Sequence, residues 1–92
     1  MEKQKLESKV NEDSPKVGEI WRHYKTEGEY EILNIGRMQV KATELDMAEC
    51  VIYKAQSDGL VWVRLLADFV EEIQIKNDAG ESNLVQRFAK VI

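Results

Sequence analysis

Glu49-Cys50-Val51-Ile52-Tyr53-Lys54-Ala55-Gln56-Ser57-Asp58-Gly59-Leu60-Val61-Trp62-Val63-Arg64-Leu65-Leu66 sets two β-branched and aromatic runs on either side of an Asp-Gly dipeptide. Valine, isoleucine, tyrosine and tryptophan pack well on a pleated surface. Asp-Gly suits a two-residue type I′ turn, in which both central residues take positive φ. The stretch therefore predicts a hairpin with strands near Glu49 to Gln56 and Leu60 to Leu66. Counting back from the turn sets Ser57 opposite Leu60, Ala55 opposite Trp62 and Tyr53 opposite Arg64. Tyr53, Trp62 and Arg64 then share one face, and Ile52, Val61, Val63 and Leu65 share the other. Both faces mix polar and apolar groups; Ile52, Val63 and Leu65 make the more conventional interior.

Three further runs read the same way, near Val17 to Tyr24, Glu29 to Ile35 and Leu84 to Val91, with Gly28, Gly36, Gly59 and Gly80 at the joins. Several short strands without long helices make a sandwich or a small barrel. Val17 to Ile92 is short for a sandwich, so the reading is mostly β: a small five-stranded, partly open barrel of the SH3-like kind. One or two short helical turns interrupt it. Asp68 with Glu71 three residues on forms a capping-box-like start to Phe69 through Ile73. Thr43 with Asp46 forms a weaker one inside the long connection from Arg37 to Ala48, which is either functional or mobile.

Before Pro15 the composition differs. Leu6 and Val10 are the large internal apolar residues of that stretch, too few to offset the entropy of ordering it. The expected organisation is a flexible polar tail over residues 1–16 and one barrel domain over residues 17–92. Four lysines and four acids make the tail neutral, so the net charge of -4 belongs to the domain. An acidic domain repels phosphate backbones, which disfavours nucleic acid as a partner. The single cysteine, Cys50, permits no intramolecular disulfide and fits a reducing cytoplasm. No apolar leader opens the chain, and the longest uncharged apolar run, Leu60 to Val63, is too short to cross a bilayer. The expected location is cytoplasmic, without membrane contact.

His23 is the one histidine, between Arg22 and Lys25, and neighbouring positive charge favours its neutral form. As a general base it needs a nucleophile, and Cys50, Ser57, Ser82 and Tyr53 stand in no recognisable catalytic frame. A histidine bonded into the barrel seam is the simpler reading, and no catalytic residue is assigned. One histidine and one cysteine fall short of a zinc site. Glu27, Glu29 and Glu31 read as a charged strand edge that discourages aggregation, not a calcium loop. No glycine-rich phosphate loop occurs. No metal and no cofactor are expected.

The run Gly18-Glu19-Ile20-Trp21-Arg22-His23-Tyr24-Lys25, then Tyr30, Val51-Ile52-Tyr53, and Trp62-Val63-Arg64 with Phe69 and Glu72, resembles domain-of-unknown-function family 1653, as does the closing Val85-Gln86-Arg87-Phe88. The resemblance covers nearly all of the chain after Pro15. It implies a small bacterial SH3-like module, a fold and not an activity. The chain departs from the family pattern at three places. Arg37 to Leu45 is longer, with Ala42 where a loop histidine would align; Leu65 replaces a proline; and Trp21 stands where tyrosine is commoner.

There remains an aromatic and basic set: Arg22, His23, Tyr24, Tyr53, Trp62 and Arg64. The resemblance makes the first three the residues expected to converge on the hairpin face that carries the others. Flat rings offer contact area at low entropic cost, and arginine recognises carboxylates bidentately. The alternative is packing, with Arg64 snorkelling over Trp62 and Tyr53 and paired to an acid such as Glu72. The leading function is a non-catalytic binding or adaptor module for a peptide, carboxylate or small anionic ligand. A structural or oligomerising protein is the alternative, and a small hydrolase-like enzyme using His23 the third.

Overall fold

Lys54 pairs with Val61, Tyr53 with Trp62, Ile52 with Val63, Val51 with Arg64 and Cys50 with Leu65 in the computed structural model, which describes residues 10–92. The hairpin is thus present, between β3 (Glu49–Ala55) and β4 (Val61–Leu65). Its register is shifted by two residues from the counted one. The cause is the turn. Gly59 has φ 73° but Asp58 is not in the positive region, so this is not a type I′ turn. Five residues, Gln56 to Leu60, make the connection. The Gly59 N–H donates to the Ala55 carbonyl (2.8 Å), and the Asp58 carboxylate accepts from the Leu60 N–H (2.9 Å). A shift of two preserves facing, so Tyr53, Trp62 and Arg64 still share a side.

The choice of interior is corrected. Val51, Tyr53 and Ala55 are buried, whereas Val61 and Val63 are exposed. The Tyr53 face wins because it meets the other large rings. Trp21, Ile32, Val51, Tyr53, Leu66, Phe69 and Phe88 form the core, with Tyr30 and Ile35 packed against it. Phe69 and Phe88 stack with centroids 4.1 Å apart, and Tyr53 meets both edge-on at 5.3 and 5.6 Å. Aromatic surface of this size outweighs three valine-class side chains.

Two more strands complete one side: β1 (Ile20–His23) and β2 (Glu29–Arg37), with a bulge between Ile32 and Asn34. β1 lies between β2 and β7 (Phe88–Lys90), giving a five-stranded antiparallel sheet in the order β4-β3-β2-β1-β7. β2 is therefore interior, not the charged edge read from its glutamates. Glu29 and Glu31 instead pair on the outer face with Arg22 (2.7 Å) and Lys54 (3.9 Å). β5 (Glu72–Lys76) and β6 (Ser82–Gln86) form a separate two-stranded sheet.

The run expected as one strand, Leu84 to Val91, changes partner at Arg87. The Arg87 N–H donates to the Glu71 carbonyl beside β5, and its own carbonyl accepts from the Tyr24 N–H at the end of β1, both at 2.9 Å. β5 itself occupies part of the stretch assigned to a helical turn. The helix, α1 (Leu66–Phe69), begins earlier, with Asp68 inside it and no side-chain cap. Burying Leu66 and Phe69 fixes its position in place of the capping box. At Thr43 to Asp46 there is a turn and no helix. The Arg37 to Ala48 connection closes on itself instead, with Met38 N–H to the Ala48 carbonyl (2.8 Å), Arg37 to the Met47 carbonyl (2.8 Å) and Val40 N–H to the Asp46 carboxylate (3.2 Å).

Within the expected tail, Leu6 lies outside the described residues. Ser14 and Pro15 are buried, and Asn11 to Ser14 form a turn beside Trp21 and Leu66. No helix among the described residues is long and apolar enough to cross a membrane.

Candidate functional site

The five-stranded sheet does not close. Its outermost strands, β4 and β7, have no ladder between them, yet the sheet bends until Arg64 of β4 sets its guanidinium 5.6 Å from the ring centre of Phe88 in β7. The gap between these strands is a cleft of about 140 Å³ lined by His23, Thr26, Tyr30, Tyr53, Trp62, Arg64 and Phe88.

Each wall follows from strand alternation. On β1, Trp21 and His23 point inward and Arg22 outward. His23 is opposite Phe88, and their rings meet edge-on at 5.0 Å. Its Nδ1 accepts from the backbone N–H groups of Lys25 (3.1 Å) and Thr26 (3.4 Å), which puts the ring proton on Nε2. Burial lowers the histidine's pKa first, and the charges of Arg64, Arg87 and Lys25 lower it further, so the ring is a neutral donor at neutral pH. The tight turn that supplies those N–H groups depends on Glu27, which takes a left-handed φ of 60°.

Tyr53 is the floor, 3% exposed, and Trp62 beside it is 48% exposed. Arg64 donates from Nε to the Tyr53 hydroxyl (3.2 Å). Glu72 is not its partner: among the described residues no carboxylate reaches Arg64 within 4.0 Å, and no acid lines the cleft. The cleft thus combines a guanidinium whose terminal nitrogens meet no acid among the described residues, an imidazole N–H, a threonine hydroxyl and exposed indole surface. That is a donor set for a small anion carrying a flat apolar group.

Four of the six candidate residues come together here: His23, Tyr53, Trp62 and Arg64. Arg22 and Tyr24 do not. They line a groove of about 370 Å³ on the far side of His23, with Glu27, Val85, Gln86, Ala89, Lys90 and Val91. That groove is larger, but its two cations are paired, Arg22 with Glu29 (2.7 Å) and Lys90 with Glu19 (3.0 Å), and Glu27 adds an acid to its lining. Phe88, Thr26 and Tyr30 belong to the cleft and were not among the candidates. Phe88 enters through the β1–β7 pairing, a long-range contact with no local signature in sequence.

As for catalysis, Cys50 is buried on the opposite sheet face, its thiol pKa raised by burial, and Ser57 and Ser82 do not line the cleft. Tyr53 holds Arg64 with its oxygen. Among the described residues, no group of three or more histidine, cysteine or acidic side chains is placed to hold a metal ion.

Comparison with known proteins gives one match. A family model described as Protein of unknown function (DUF1653) matches residues 19–90, which includes every wall of the cleft. No curated protein and no solved structure matches the chain.

Proposed function

The chain belongs to the DUF1653 family, and within it we propose that this member is a non-catalytic binding module of the SH3-like kind whose cleft takes the carboxylate of a peptide or small ligand. The observation that carries this reading is Arg64, oriented by the Tyr53 hydroxyl and the Phe88 ring with its terminal nitrogens free of acidic partners among the described residues. Orientation matters because a guanidinium held in place loses little rotamer freedom when a carboxylate docks on its fork. Size narrows the ligand. Drug-sized ligands occupy pockets of about 300 to 1,000 Å³, and 140 Å³ admits one small planar group. A carboxylate on a ring or short chain matches that volume.

The test is tryptophan fluorescence with benzoate and benzamide. Trp21 is 6% exposed and Trp62 48%, so quenching or a shift reports on Trp62. Benzoate alters the signal at millimolar concentration and benzamide, of the same shape and no charge, does so only weakly. Equal response to both, or to neither, contradicts the reading.

A further inference from the structure

Among the described residues β4 is an edge strand whose protection is the single charge of Arg64. Natural sheets blunt their edges with lysine, proline, bulges or very short strands. β7, at the other edge, has three residues and carries Lys90. β4 has five, Val61-Trp62-Val63-Arg64-Leu65, with one charge and no proline. Val61, Trp62 and Val63 are 51, 48 and 60% exposed, so apolar surface lies on both faces of the same strand.

Its hydrogen-bonding direction is fixed by one contact. The Leu60 carbonyl accepts from the Ala55 N–H (2.9 Å), so the polar groups of Leu60, and by alternation those of Trp62 and Arg64, point to β3. Those of Val61, Val63 and Leu65 point outward, to a side where no strand of the described residues pairs.

We propose that β4 pairs edge to edge, antiparallel, with β4 of a second copy of this chain about a two-fold axis through Val63. The sequence of β4 is complementary to itself in that register. Val63 meets Val63 of the second copy in a hydrogen-bonded pair, and Val61 meets Leu65. Trp62 lies opposite Arg64 in the closer, non-hydrogen-bonded pairing, where a guanidinium and an indole attract. The lone cation of the strand therefore faces an aromatic ring and never its own copy. An isologous contact of this kind closes after two chains and does not propagate. The ten strands then form one continuous sheet, and each copy's Trp62 borders the other's cleft. The inference goes beyond carboxylate recognition but shares Arg64 with it, since the second copy's Trp62 comes to lie beside the cleft that this arginine lines.

The test is light scattering of the full chain over a dilution series, beside hydrogen exchange at the top of the series. A mass of twice 10.6 kDa is expected at high concentration, falling on dilution. Val63→Lys, which sets two ammonium groups across the axis, weakens the association by at least about tenfold. Leu84→Lys, on the remote β5–β6 sheet and 67% exposed, leaves it unchanged. The outward amides of Val61 and Val63 exchange slowly in the associated form and rapidly on dilution, which needs no variant to fold. A chain that stays at 10.6 kDa overturns the proposal and leaves the edge to a strand of some other protein. A dimer indifferent to Val63→Lys, or one whose Val61 and Val63 amides exchange freely, overturns it too.

Discussion

Two titrating residues tie the core to pH, and both act in the same direction. His23 has its pKa lowered by burial and then by Arg64, Arg87 and Lys25, so the unfolded chain binds a proton at a higher pH than the folded one. The stability this neutral ring supports is present above about pH 6.5 and lost as pH falls toward the folded pKa. Glu19 is pushed up by burial but pulled down by the Lys16 N–H, the Trp21 indole N–H and Lys90, and its net shift is downward. Its contribution is present above about pH 4.3, the ordinary glutamate value, and fades below that. Thermal melts between pH 7.5 and 3.5 are therefore expected to show two successive losses. His23→Asn, whose amide oxygen can take the place of Nδ1 toward Lys25 and Thr26, abolishes the first and leaves the second. A first loss unchanged by this variant assigns it elsewhere. Of the two neighbours that suggested a neutral histidine, Lys25 contributes least and Arg22, paired outward with Glu29, is not among the causes; the largest, burial against Phe88, was not legible because that contact joins β1 to β7.

At the scale of elements, the hairpin shows how a local signal can fix faces and miss register. Asp58-Gly59 marked the right turn, and the even shift kept Tyr53, Trp62 and Arg64 together. The turn type depended on hydrogen bonds accepted by the Ala55 carbonyl and the Asp58 carboxylate, which dipeptide preference does not contain. Which face was interior was also illegible, since Val61 and Val63 are as apolar as any core pair and lose only because the large rings gather opposite. Gly59 retains its importance under the observed turn. At φ 73°, with nothing within 4 Å of an added Cβ, substitution meets no clash but a backbone penalty. Gly59→Ala is expected to cost about 1 to 2 kcal/mol, read by chemical denaturation. A neutral result would mean that the loop relaxes to a different turn.

For the whole molecule, the sequence supported a mostly β chain with a five-stranded sheet and a short helix, and these are present. The separate β5–β6 sheet was not anticipated. Its strands are short and half polar, and the change of partner at Arg87 depends on Glu71 and Tyr24, residues distant in sequence. The seam between β4 and β7 is where the open sheet leaves a cleft, and Arg64 spans it. The account's central claim is that this arginine is a ligand-binding group on a framework that stands without it. Replacing it removes one hydrogen bond to Tyr53 and the contact with Phe88, and it breaks no ion pair among the described residues.

Arg64→Ala measured by thermal melting and by benzoate titration of the same sample tests that claim most directly. The predicted result is a stability loss of about 1 to 2 kcal/mol, the cost of one hydrogen bond and a cation–π contact, together with benzoate affinity weakened by about 1.5 to 3 kcal/mol. A loss of about 3 to 5 kcal/mol in stability, the signature of a broken buried charge pair, or benzoate binding that survives the substitution, would contradict it.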